Sequence, residues 1–282
     1  MPDFEPILGR YFALDVDGQR HRIYVEEAGS GIPLVCLHTA GSDGRQFRHL
    51  LNDRDVTSKY RVIAFDLPWH GKSNPPVGWQ NDDYQLTTVG YRRIVRAVCQ
   101  EMKLDRPVLM GCSMGGRIVL HLALDHGKDY RAVIALEGAD KLNPYYDTTW
   151  LHRPDVHGGE VSAGFVSGSI APKSPDEYRW ETLWHYMQGG PGVFKGDLYF
   201  YWQDGDFDDR SSRIDTSVCP VYLLAGEYDN SCTPELAAAT HERIAGSELV
   251  IMEDMGHFPM SENPDLFSTH INPILERIAT TE

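Results

Sequence analysis

Short apolar runs that alternate with amphipathic stretches constrain this chain more than any other feature. Pro33–Leu37, Arg61–Phe65, Pro107–Met110, Ala132–Leu136, Val221–Ala225 and Leu249–Met252 are continuous or nearly continuous apolar segments of strand length. Such runs suit strands buried on both faces. Between and after them come helical patterns at Thr87–Met102, Met114–Leu124, Pro234–Ile244 and Pro264–Ile278. The first carries Ile94, Val95, Val98 and Met102 on one stripe. The third has Thr233 as N-cap and Pro234 at the first helical position. Two further strands are read at Tyr11–Val16 and His21–Glu26. Alternation of this kind predicts an α/β fold, a mostly parallel central sheet flanked by helices on both faces.

One segment breaks the rhythm. From 141 to 214 there is no buried-strand run, but there are Trp150, Trp180, Trp184 and Trp202 and many tyrosines, including Tyr145, Tyr146, Tyr186, Tyr199 and Tyr201. This stretch is expected to be an insertion, mainly helical, in a core made of 1–140 and 215–282. The acidic run Asp204–Asp209 near its end reads as a solvated return loop.

A chain of 282 residues is long for one domain but within reach of a single α/β unit. Its net charge of −15 disfavours nucleic acid and anionic membrane surfaces as partners. The start, Met1-Pro2-Asp3-Phe4-Glu5, has no basic region leading into an apolar one, so no signal peptide is expected. The five cysteines are scattered and lack CxxC spacing, which points to a reducing, cytoplasmic setting. No metal-ligand cluster or dinucleotide fingerprint is visible, so no metal and no cofactor are expected.

The sharpest local signal is Gly111-Cys112-Ser113-Met114-Gly115-Gly116, set between a buried strand and a helix. A tight strand–helix turn of this kind pushes a serine out above the sheet at a helix N-terminus, where amides and the helix dipole favour developing negative charge. Ser113 is therefore the expected nucleophile. A serine hydroxyl needs an adjacent base. Of the three histidines after the insertion, His241 and His270 fall inside helices, whereas His257 sits in the loop after the last strand. Loops at the carboxyl ends of parallel strands carry sites in open α/β sheets, so His257 is the expected base. Asp229, in the loop after Val221–Ala225, is the expected acid, with Glu137, Asp140 and Asp254 as rivals. An oxyanion hole needs two amides. Met114 N–H is the expected first donor, and Ala40 the second, with Thr39 as fallback. His38 reads as structural.

These motifs together resemble the α/β-hydrolase superfamily over nearly the whole chain. Leu37-His38-Thr39-Ala40-Gly41 is similar to its His-Gly oxyanion loop, and Asp66-Leu67-Pro68-Trp69-His70-Gly71-Lys72-Ser73 to its Asp-x-Pro-Gly-His-Gly-x-Ser segment. Thr39 and Trp69 depart from it, each standing where glycine is usual. The resemblance implies that 141–214 is a helical cap and that a small-molecule substrate binds between cap and sheet. Trp69, Trp150, Trp184 and Phe258 are the expected pocket residues, with Arg153 and Arg179 as possible carboxylate holders. An aryl or cyclic carboxylic ester or lactone, cleaved through an acyl-serine, is the leading expectation. Carbon–carbon cleavage of a vinylogous diketone is the alternative, weakened by Cys112 and Phe258 where that group has Asn and Trp. Lyases and ligand receptors that keep a triad form a different class. Haloalkane or epoxide chemistry would need an aspartate nucleophile, and a lipase an apolar interface. Oligomeric state is not legible.

Overall fold

The computed structural model of the chain describes residues 4–143, 148–152 and 158–281. Its centre is one eight-stranded sheet: β1 Leu8–Val16, β2 Gln19–Gly29, β3 Ile32–Leu37, β4 Tyr60–Phe65, β5 Val108–Cys112, β6 Ala132–Leu136, β7 Val221–Gly226 and β8 Glu248–Met252. The spatial order is β1-β2-β4-β3-β5-β6-β7-β8. β1 and β2 pair antiparallel, as do β2 and β4; every later pair is parallel. The apolar runs are the parallel strands, and β5 and β6 are buried along their whole length. β1 begins three residues before the expected start at Tyr11, because Leu8, Gly9 and Arg10 continue the ladder with β2 while facing solvent.

Helices Thr88–Glu101, Met114–His126, Pro234–Arg243 and Pro264–Thr280 cover the sheet. Two apolar clusters result. One contains Val35, Leu37, Leu109, Ile118 and Leu122, the other Leu34, Cys36, Met110, Ile134 and Ile271. Successive residues of β3 and β5 thus serve opposite faces, as the period of two requires. Pro264–Thr280 keeps Pro273 inside and runs to Thr280, past the expected end.

Between β6 and β7 lie helices Gly158–Val166, Asp176–Tyr186 and Val193–Tyr199. Asp204 is exposed, as the solvated-loop reading has it, and its carboxylate also accepts from Thr88 Oγ1 at 2.7 Å at the start of Thr88–Glu101. Among the described residues no helix is long and apolar enough to cross a membrane.

Candidate active site

Ser113 follows β5 directly and caps the helix Met114–His126, with φ 59° and ψ −115°. That backbone state is sparsely populated for an L-residue and costs of order 1–3 kcal/mol, so it persists only where the surroundings enforce it. Glycines enforce it here. A Cβ on Gly111 would lie 2.2 Å from the Gly115 carbonyl carbon, and one on Gly115 2.4 Å from the Leu37 oxygen. The turn can close against β3 only without those side chains. Ser113 N–H donates to Leu136 O at 2.9 Å, so β6 fixes the turn from the other side.

His257 lies after β8. Its N–H donates to Ser169 O at 2.9 Å, and the Cys112 thiol donates to its carbonyl at 3.2 Å, which sets the histidine loop beside the serine turn. The loop is held by Glu262, whose Oε1 accepts from Gly256 N at 2.6 Å and whose Oε2 accepts from Phe258 N at 3.2 Å. Burial pushes the Glu262 carboxyl upward, against the amides that pull it down.

Asp229 Oδ2 accepts from His257 Nδ1–H at 2.7 Å, and its Oδ1 accepts from Ser231 N at 2.7 Å. Burial works against the charged form, but the His257 contact and the donors around it hold the Asp229 carboxyl below the usual range. With Nδ1 engaged, Nε2 is the nitrogen left to face a substrate and a nucleophile. No hydrogen bond joins Ser113 to His257 among the described residues; such contacts are often long before substrate binds. Of the three rival acids, Asp140 and Asp254 are engaged elsewhere, and Glu137 accepts from Gly226 N rather than from His257. Asp140 accepts from Arg243 Nε at 2.6 Å and from Thr240 Oγ1 at 3.0 Å. Asp254 pairs with Lys173 at 2.8 Å, at the surface.

The loop after β3 offers one amide. Thr39 N–H donates to Gln46 Oε1 at 3.0 Å, and Gly41 N–H to Asp197 Oδ2 at 2.7 Å. Thr39 is thereby corrected as an oxyanion donor: its amide is already spent. Ala40 N–H and Met114 N–H have no such partner among the described residues. The Thr39 hydroxyl donates to Gln46 Oε1 and meets Tyr186 OH at 2.5 Å, which ties the segment between β6 and β7 to this loop. His38 is fully buried and pushed down to about 4, chiefly by desolvation and then by His70. It is a neutral strut, Nδ1–H to Thr39 O at 2.9 Å and Nε2 accepting from Leu67 N at 3.2 Å.

Behind the loop sits an ion pair that sequence reading missed. His70 Nδ1 donates to Pro68 O at 2.9 Å and Nε2 to Asp197 Oδ2 at 2.7 Å, while Tyr84 OH donates to Asp197 Oδ1 at 2.7 Å. Burial alone would lower His70, but the Asp197 charge and hydrogen bond, with Pro68, outweigh it and the net direction is upward. The segment Val193-Phe194-Lys195-Gly196-Asp197-Leu198 mixes apolar and charged residues, so the sequence gives little sign that Asp197 is buried. A raised folded value stabilises the protein fully below the unfolded value of about 6.5 and is lost as pH rises through the folded one. Asp197→Asn should therefore lower Tm most near about pH 6 and less near about pH 9. Melting curves of both proteins across that range test it; a gap that widens with pH would contradict it.

The expected pocket residues divide. Phe258 is 1% exposed, its ring 5.4 Å from Tyr186 and 5.0 Å from His257. Trp69 takes φ 77°, and its ring meets Tyr84 in a tilted contact at 5.1 Å and Trp79 edge to face at 5.8 Å. These three, with Lys195, Tyr199 and Trp202, line a cleft of about 740 Å³ that Ser113 does not border. Trp184 is corrected: it is 61% exposed, one turn from Trp180 at 66%, on the side of its helix away from buried Thr182, His185 and Tyr186. Trp150 is 41% exposed and lies against Phe165. Arg179 pairs with Asp176 at the surface. Tyr145, Tyr146 and Arg153 lie outside the described residues.

The model of the alpha/beta hydrolase family matches residues 34–269, a span that takes in the serine turn, the acid and the histidine loop. The chain belongs to this family. Among curated proteins it is 26% identical over 258 residues to the hydrolase YugF of Bacillus subtilis (strain 168), covering 84% of this chain and 88% of that one. It is 23% identical over 298 residues to a 2-hydroxy-6-oxononadienedioate/2-hydroxy-6-oxononatrienedioate hydrolase of Klebsiella pneumoniae, covering 98% of each. Among solved structures, a thermophilic esterase from Thermogutta terrifontis superposes with a TM-score of 0.82 at 19% identity, covering 96% of this chain and 100% of that one. At that identity the likeness carries the fold alone.

Proposed function

We propose that the protein is a serine hydrolase that cleaves a small carboxylic ester or lactone through an acyl-serine. The observation that supports this most is the buried Asp229–His257 pair at 2.7 Å, beside a serine in strained backbone at a helix N-terminus. In this reading His257 Nε2 takes the Ser113 proton as Oγ attacks the carbonyl carbon. The developing oxyanion lies against the Ala40 and Met114 amides. Asp229 holds the imidazole in the right tautomer and stabilises its charged form. His257 then protonates the leaving alcohol, and water frees the acid by the same route in reverse.

The segment 141–214 works as a cap over a core of 1–140 and 215–282. Its support is Tyr186 and Asp197, both from that segment and both bonded to the loop after β3. The substrate is compact, because Ser113 is only 3% exposed and Tyr186, Phe194 and Phe258 crowd the same region. The test is steady-state kcat/KM over aryl acetates, small lactones and long-chain esters. Aryl esters and lactones should lead; a steady rise with acyl length would contradict the reading. The full-length likeness to a carbon–carbon hydrolase favours one alternative, so a vinylogous 1,5-diketone belongs in the panel. Turnover of that compound above the best ester would replace the ester reading.

A further inference from the structure

Asp229 has a second acid behind it. Glu137 follows β6 directly, is 0% exposed, and has φ 49°, a left-handed backbone that a glutamate rarely takes. Its own N–H donates to Leu224 O at 2.9 Å, so the strained residue is anchored on β7. Both of its carboxyl oxygens lie 2.9 Å from Gly226 N, the last residue of β7. Asp229 is the third residue of the loop that leaves this strand, its N–H donating to Gly226 O at 3.1 Å. The two side chains thus meet at Gly226, near enough for the charge of each carboxyl group to act on the other.

Two oxygens of a carboxylate pair approach closely only when a proton lies between them, since two like charges in a buried site repel. The surroundings decide which acid carries it. Asp229 accepts from the His257 imidazole and from Ser231 N–H. Glu137 has a single amide, that of Gly226, and no cation bonded to it. Glu262, Cys112 and Cys232 are the other titratable groups around the pair; burial keeps the two thiols neutral, and Glu262 adds further negative charge. The proton therefore belongs to Glu137. Consistent with this, burial first and Asp229 second push the Glu137 carboxyl well above its ordinary range.

We propose that Glu137 is a positioning residue, a neutral carboxylic acid that donates its proton in a hydrogen bond to Asp229 and so fixes the acid that orients His257. This rests on the triad reading given above. The role has a consistent division of labour: Gly226 N–H occupies the acceptor side of Glu137, and the O–H occupies the Asp229 lone pair that His257 and Ser231 leave. Asp229 then has donors on three sides and one orientation. Without the third donor the carboxylate can rotate away from His257 Nδ1, which affects the reacting geometry and leaves substrate binding untouched.

Glutamine at 137 has the same length and, once its amide turns so that only the carbonyl faces Gly226 N–H, can reproduce both bonds, the carbonyl accepting from Gly226 and the NH2 donating to Asp229. Methionine has the same length and neither bond. The expected result is that Glu137→Met lowers kcat about 10- to 100-fold, the range for a lost hydrogen bond to a charged group, with KM nearly constant. Glu137→Gln should restore kcat to within a few-fold of wild type. An infrared difference spectrum, wild type minus Glu137→Gln, should show one neutral-carboxyl C=O band at neutral pH; this reads the proton even if the methionine variant fails to fold. Glu137→Gln as impaired as Asp229→Asn, or no such band, would overturn the inference, because the carboxyl would be ionised. Wild-type kcat in Glu137→Met beside an inactive Asp229→Asn would also overturn it and leave the triad standing. Undiminished turnover in Asp229→Asn would remove the triad beneath it.

Discussion

Ser113→Ala should reduce ester turnover by about 10⁴- to 10⁶-fold, the scale seen when a serine nucleophile is removed. The expectation follows from where the residue stands. Its hydroxyl is held by a turn that two glycines and a β6 carbonyl leave no freedom to relax. The same turn aims the N-terminus of a 13-residue helix at the reacting centre. Alanine at 113 can keep that backbone, so the fold and substrate binding should survive while covalent chemistry stops. Two measurements separate the possibilities. An aryl organophosphate should add one mass increment to the wild type, located by peptide mapping at Ser113, and none to the alanine variant. Steady-state rates should then show KM similar in both proteins and kcat collapsed in one. A variant keeping more than about a tenth of wild-type kcat would exclude the nucleophile. Labelling of wild type without turnover would instead favour a single-turnover receptor on the same fold.

The sheet was legible because each parallel strand is buried on both faces, and burial on both faces writes a continuous apolar run. Pro107–Met110 and Ala132–Leu136 are such runs, and they became β5 and β6 nearly residue for residue. The edge was less legible, since Leu8, Gly9 and Arg10 are exposed and carry no apolar signal. Ser113, Asp229 and His257 were nameable because each follows a strand, where the fold gathers side chains. What escaped was everything decided by packing across the chain. Thr39 and Ala40 differ by one position and only the placement of Gln46 tells which amide is free. Trp184 and Tyr186 are two residues apart, and helix rotation sends one to solvent and the other to the loop after β3. Glu262 and Asp197 are buried acids flanked in sequence by polar residues such as Ser261, Asn263 and Lys195, and their partners lie on other parts of the chain.

Asp229→Asn should lower kcat by on the order of 10⁴-fold, as loss of a triad acid does when the geometry is otherwise kept. The amide is nearly isosteric, so the Ser231 N–H bond can persist on its oxygen. The loss comes from the side that faces His257. An amide nitrogen placed there donates, which forces the imidazole to accept at Nδ1 and carry its proton on Nε2, the wrong nitrogen for a base. An amide oxygen placed there keeps the tautomer but brings no negative charge to steady the imidazolium. The comparison that gives the test its force is Asp140→Asn. Asp140 is as buried as Asp229, but its partners are Arg243, Ser211 and Thr240 rather than a histidine. Its replacement leaves Arg243 without a counter-charge and should lower Tm while kcat per folded molecule stays within a few-fold of wild type. Asp254→Asn, at the surface beside Lys173, should change neither. Rates normalised to folded protein, with melting curves for all three variants, separate catalytic from structural loss. A large fall in kcat at Asp140 with a small one at Asp229 would move the acid from the end of β7 to the end of β6.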